Sequence, residues 1–135
     1  MQTVIVGSYE TTLELSCVDR GSDGTPTTIV AAVRAPGLSV SATAYDDRFG
    51  DLAQFFEGLA DSWRGWQGER IFSSLEGEFI LTARHDGHVR LGVRLQRVDG
   101  PGTWTVSTEV TVDPGEDVAS AARDVRTLME PLPAA

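Results

Sequence analysis

A chain of 135 residues with 41% apolar and 23% charged side chains has the size and composition of one globular domain, which argues against a disordered segment, a disulfide scaffold or two comfortable domains. Twenty acidic residues against eleven basic ones leave a net charge of -9, which repels phosphate backbones and anionic lipid, so neither nucleic acid nor a membrane is expected as partner. No run approaches the roughly 18 to 20 consecutive apolar residues that span a bilayer, and the first seven residues lack the basic start and apolar stretch of a signal peptide, so the expected location is the cytoplasm.

Along the chain, Thr3 to Ser8 and Thr11 to Asp19 carry β-branched or alternating apolar residues around the polar pair Tyr9-Glu10 and predict two strands. In the second, Leu13, Leu15 and Cys17 fall on one face, so Cys17 reads as a buried structural thiol with no partner for an internal disulfide. A turn cluster at Gly21 to Pro26 precedes another strand pair, Thr27 to Arg34 and Leu38 to Tyr45, across Ala35-Pro36-Gly37. From Phe49 the period changes. Phe49, Leu52, Phe55, Phe56, Leu59 and Trp63 cover about a third of a helical circle, which predicts an amphipathic helix with Trp63 in the core. Asp46 and Asp47 are suitable caps for its start, and Gly65 and Gly68 stand where it would stop.

Ile71 to Leu75, Glu78 to His85, His88 to Val98 and Thr103 to Asp113 follow as strands. They are separated by Glu76-Gly77, Asp86-Gly87 and Asp99-Gly100-Pro101-Gly102, turn sequences that favour an antiparallel meander. Glu116 to Met129 places Val118, Ala122, Val125 and Leu128/Met129 on one face and stops before Pro131. The expected fold is α+β, in the order ββββ-α-ββββ-α: a mainly antiparallel sheet of seven to eight strands with both helices on one face, residues 1–130 as one domain and 131–135 as a short tail.

No cofactor or metal site is legible. His85 and His88 flank a tight turn that sends their side chains apart into solvent, and no third ligand stands near. Ser62, Ser73 and Ser74 lack a nucleophile elbow, and phosphate-binding glycine loops are absent. The first helix and its approach carry Asp46, Asp47, Asp51, Gln54, Glu57 and Asp61 away from the aromatic stripe. Carboxylates on an exposed face are not desolvated for acid-base work, so solubility or the docking of a basic partner suits them better than catalysis. Trp66, flanked by Gly65 and Gly68, is off the stripe and serves either as a lid on the core or as an anchor for a partner.

Phe49-x-Asp51-Leu52-x-x-Phe55-Phe56-x-x-Leu59-x-x-x-Trp63-x-Gly65-Trp66-x-Gly68, followed by Ser74-Leu75-Glu76-Gly77-Glu78, resembles a family of small uncharacterised bacterial proteins of high-GC species. It is also similar to immunity proteins of the WapI type, which neutralise contact-delivered toxins. The resemblance implies a binding protein that occludes a secreted toxin; the acidity of the chain agrees with it, and the leading reading is a non-enzymatic binder of a basic partner, with Asp47, Asp51, Gln54, Glu57, Asp61 and Trp66 as candidate contacts. Two other readings stay open: a small-ligand or accessory module with a pocket near Trp66, and a hydrolase that uses the acidic cluster. A homodimer through an edge strand is compatible with the pattern.

Overall fold

Alternation of apolar and polar residues produces the expected strands, and two four-stranded antiparallel sheets take them all. The computed structural model describes residues 2–47, 49–98 and 100–131. The first sheet holds β1 (Thr3–Val6), β2 (Thr12–Arg20), β3 (Pro26–Ala35) and β4 (Leu38–Tyr45) in that order, and the second holds β5 (Arg70–Ser73), β6 (Phe79–His85), β7 (Val89–Arg97) and β8 (Trp104–Val112). Helix α1 (Gly50–Asp61) follows β4, and α2 (Glu116–Met129) follows β8. The chain is thus an α+β fold in the order ββββ-α-ββββ-α, with its eight strands divided between two sheets.

Both sheets turn alternating residues into one shared core, and β3 buries Thr28 and Ala32 as well. Val4, Val6, Leu13, Leu15, Ile29, Ala31, Val33, Ala42 and Ala44 enter it from the first sheet. Phe72, Phe79, Leu81, Ala83, Val89, Leu91, Val93, Leu95, Val110 and Val112 enter it from the second. The alternation in β2 fails after Leu15, where the pairing with β3 shifts register between Cys17 and Asp19. Cys17 is therefore half-buried rather than sealed, with Sγ 3.5 Å from the Asp19 carbonyl.

The helices pack on each other and close the same core. Leu52, Ala53, Phe56 and Leu59 face inward from α1, and Val118, Ala121, Ala122, Val125, Leu128 and Met129 from α2. These follow the i, i+3, i+4 and i+7 spacings of a helix with one apolar stripe. Two sequence expectations are corrected. Neither Asp46 nor Asp47 occupies the cap position of α1, which Phe49 takes without a side-chain cap bond. Trp63 is 44% exposed, because α1 ends at Asp61 and the helical stripe cannot continue through the following turn, where Arg64 stacks on the indole at 5.0 Å. Pro131 is exposed and irregular, and the rest of the predicted tail, residues 132–135, lies outside the described residues, as do Met1, Arg48 and Asp99.

The two ββββα halves are joined at both ends by the same kind of bond. Two positions beyond β1, the Ser8 amide donates to the Thr111 carbonyl of β8 at 2.9 Å. Two positions beyond β5, the Leu75 amide donates to the Tyr45 carbonyl of β4 at 3.3 Å. Each half therefore feeds the end of its first strand onto the last strand of the other. A cavity opens beside each junction.

Candidate functional site

The outward face of α1 presents Asp51, Gln54 and Asp61, with Asp47 about one turn ahead of Asp51, and all four are exposed. Asp47, Asp51 and Asp61 make no ion pair among the described residues. Glu57 is not brought to this face. It stands at the flank of α1, half-buried, and pairs with Arg126 in the last turn of α2. The negative stripe therefore runs from Asp47 through Asp51 to Asp61, with Gln54 between its charges.

Trp66 lies apart from that stripe and is partly buried against the core. The His85 ring meets it edge-on at 5.2 Å, and the Arg70 guanidinium sits 4.6 Å from its centre. Its indole Nε1 is buried without a hydrogen-bond partner. Arg70 also donates to the Gly58 carbonyl at 2.9 Å and to Ser62 Oγ at 3.0 Å, placing a cation at the negative end of α1. Gly65 takes φ +135°, which a side chain rarely adopts, and a Cβ there would stand 3.4 Å from His85. Of the Trp-Arg-Gly-Trp run only Trp66 packs against the core beside the end of α1, and the cavities at the junctions are lined by other residues.

The histidines do point apart, but both have partners instead of standing free in solvent. His85 Nε2 lies 2.9 Å from the Trp63 carbonyl, while its Nδ1 accepts from the Gly87 amide at 3.2 Å, a pattern that suits the neutral ring protonated at Nε2. His88 Nε2 lies 3.6 Å from Asp113. No cluster of three or more potential metal-ligating side chains exists among the described residues.

The cavity beside the Leu75–Tyr45 junction has a volume of about 660 Å³. Tyr45 and Trp104 supply aromatic area, Gln96 an amide, and Glu76 and Glu78 carboxylates. Glu76 and Glu78 belong to the Ser74-Leu-Glu-Gly-Glu78 turn. The Gly77 amide closes that turn on the Ser74 carbonyl at 3.0 Å with Gly77 at φ +76°, a conformation natural to glycine, and the Gly77 carbonyl accepts Gln96 Nε2 at 2.6 Å. Glu78 is only 5% exposed and Ser74 only 2%. Ser74 Oγ donates to Glu78 Oε1 at 2.9 Å and accepts from the Phe79 amide at 3.1 Å. No cationic side chain among the described residues lies within salt-bridge distance of Glu78. Sequence reading took Glu76 as a turn residue and Glu78 as the first residue of a strand; the available signal was an acidic pair around a glycine with a serine two residues earlier.

The cavity at the other junction, about 570 Å³, is lined by Tyr9, Glu10, Thr11, His88, Arg90, Glu109 and Thr111. Of its two lining acids Glu109 is paired and Glu10 makes no ion pair among the described residues, while Asp86 and Asp113, outside the lining, bond the lining residues Arg90 and Tyr9. Asp113 accepts Tyr9 O–H at 2.8 Å, Glu109 pairs with Arg84 at 2.9 Å, and Asp86 accepts Arg90 Nε at 3.1 Å. The bond to Asp113 raises the Tyr9 phenol above its ordinary 10.0, with desolvation and the negative charges of Asp113 and Asp117 acting in the same direction. Because the folded-state value lies above the unfolded one, this stabilisation is present below pH about 10 and is lost as pH rises through the raised value. In a Tyr45→Phe background, absorbance at 295 nm should show Tyr9 ionising at a lower pH once Asp113→Asn is introduced. An unchanged curve would remove Asp113 as the cause.

No curated protein and no solved structure matches this chain. A family model described as a family of unknown function, DUF6228, matches residues 5–131. That span takes in every strand from the middle of β1 onward and both helices, together with the α1 stripe, the Trp66 lid and the Ser74–Glu78 turn. The chain therefore belongs to the DUF6228 family of unknown function.

Proposed function

We propose that this chain is a non-enzymatic binding protein that docks a basic protein through the α1 face, in the manner of an immunity protein that covers a toxin in the cytoplasm. The observation that carries the reading is the exposed stripe of Asp47, Asp51 and Asp61, which makes no ion pair among the described residues of a chain of net charge -9. Carboxylates held in water attract a basic surface over a Debye length and speed its capture, whereas proton transfer needs a desolvated group. The resemblance of the Trp-x-Gly-Trp and Ser-Leu-Glu-Gly-Glu segments to WapI-type immunity proteins supports the same reading.

The test uses charge reversal, Asp47→Arg, Asp51→Arg and Asp61→Arg together, leaving Glu57 in its pair with Arg126. Wild-type protein should retain a basic protein from a lysate of its own host at low salt and release it at moderate salt. The triple variant should associate with that protein at least about tenfold more slowly at low salt. Equal association by the folded variant would exclude this face.

A further inference from the structure

We propose that the cavity at the Leu75–Tyr45 junction is a binding site for a single organic cation, a guanidinium or an alkylammonium group. This site is separate from the α1 face and stands on its own observations. A carboxylate taken out of water must be compensated by hydrogen bonds or by a positive charge. Glu78 is 5% exposed, one of its oxygens is held by Ser74 Oγ, and no basic side chain reaches it among the described residues. Arg97 lines the same cavity, but it has an interaction of its own and makes no salt bridge to Glu78.

The comparison between the two junctions within this one chain sharpens the point. They are built alike, yet of the two acids lining the Ser8–Thr111 cavity, Glu10 and Glu109, the second is paired with Arg84, and Arg90 lines the same wall. At the Leu75–Tyr45 junction Glu76 and Glu78 make no ion pair among the described residues, and Arg97 is the one cation among the described lining residues. What a ligand would meet there is negative charge and aromatic surface. Tyr45 and Trp104 offer π faces that attract cations, and an amide is present in Gln96. The carboxylate is also fixed in advance. Ser74 Oγ is anchored by the Phe79 amide, the Glu78 carbonyl accepts the Gln96 amide at 2.9 Å, and Gln96 Nε2 is tied to Gly77. A preorganised acceptor spares the ligand the entropy of ordering it.

Isothermal titration of the full chain with agmatine is the test, beside a blocked glycyl-arginyl-glycine peptide and glucose as a neutral control. Agmatine should bind saturably at one site, and Glu78→Gln, which keeps the acceptor for Ser74, should weaken it by about tenfold or more. Tyr45→Ala, at a position 53% exposed in the wild type, should weaken it severalfold and carries the test if Glu78→Gln unfolds. Tighter binding of agmatine than of the peptide assigns the site to a free small cation, and the reverse assigns it to a side chain of a partner. Charge reversal of the α1 stripe should leave agmatine binding intact, so failure here and failure of α1 docking are read separately. Equal affinity in both cavity variants, equal binding of glucose, or no saturable agmatine binding at millimolar concentration would overturn the proposal.

Discussion

Replacing Phe56 by Ala should lower the free energy of unfolding by roughly 3–5 kcal/mol, the cost of deleting a buried aromatic ring and leaving a partly collapsed cavity. Phe56 is 1% exposed and stands at the centre of the inward face of α1, where the Phe55 ring meets it edge-on at 5.6 Å. A single core joins both sheets and both helices, so the loss should be felt by the whole molecule rather than by α1 alone. Chemical denaturation should show a lower midpoint with unchanged slope, and circular dichroism and tryptophan fluorescence should give one coincident transition. Against a total stability of about 5–15 kcal/mol for a domain of this kind, such a change is large. A loss under about 1 kcal/mol would mean that α1 is not the seal of the core.

The order of elements was legible because each period survives in the fold. Leu13 and Leu15 alternate into the core from β2, and Val118, Ala122 and Val125 recur at helical spacing in α2. What failed were inferences that extended a pattern across an element boundary. Trp63 fits the α1 stripe on a helical wheel, but the helix stops at Asp61 and the ring is left largely in solvent against Arg64. Glu57 fits an exposed acidic face, but its surroundings are set by Arg126, remote in sequence and brought near only by helix packing. The split into two sheets has no local signal either. It depends on which strand ends meet, and those bonds run from Ser8 to Thr111 and from Leu75 to Tyr45.

The candidate sites show the same division. Asp47, Asp51, Gln54 and Asp61 could be placed on one face from spacing alone, because exposure on a helix is a local property. The cavity could not. Ser74-Leu-Glu-Gly-Glu78 reads as a hairpin turn, and it is one, closed by Gly77. That its second glutamate is buried and shares a cavity with Tyr45 of β4, Gln96 of β7 and Trp104 of β8 is set by the tertiary fold, and no window of the sequence contains those residues together.

Ser74→Ala should cost roughly 2–4 kcal/mol, more than a small exposed-turn substitution, because the hydroxyl serves two buried groups at once. It donates to the Glu78 carboxylate and accepts from the Phe79 amide, and Ser74 and Glu78 are both almost wholly removed from water. Losing it leaves one carboxylate oxygen and one amide without their partner, and an unpaired buried polar group costs more than the bond it made was worth. The penalty should largely disappear when the acid is removed as well. In a double-mutant cycle, Ser74→Ala introduced into Glu78→Leu should cost less than Ser74→Ala alone by roughly 1–2 kcal/mol, since no buried charge then remains to be answered. Denaturation midpoints of the four proteins measure this directly. Additive losses would show that Ser74 supports the Phe79 amide alone. A coupled result would show that the turn is built around holding a carboxylate in the wall of the cavity, which is what a cation entering there would require.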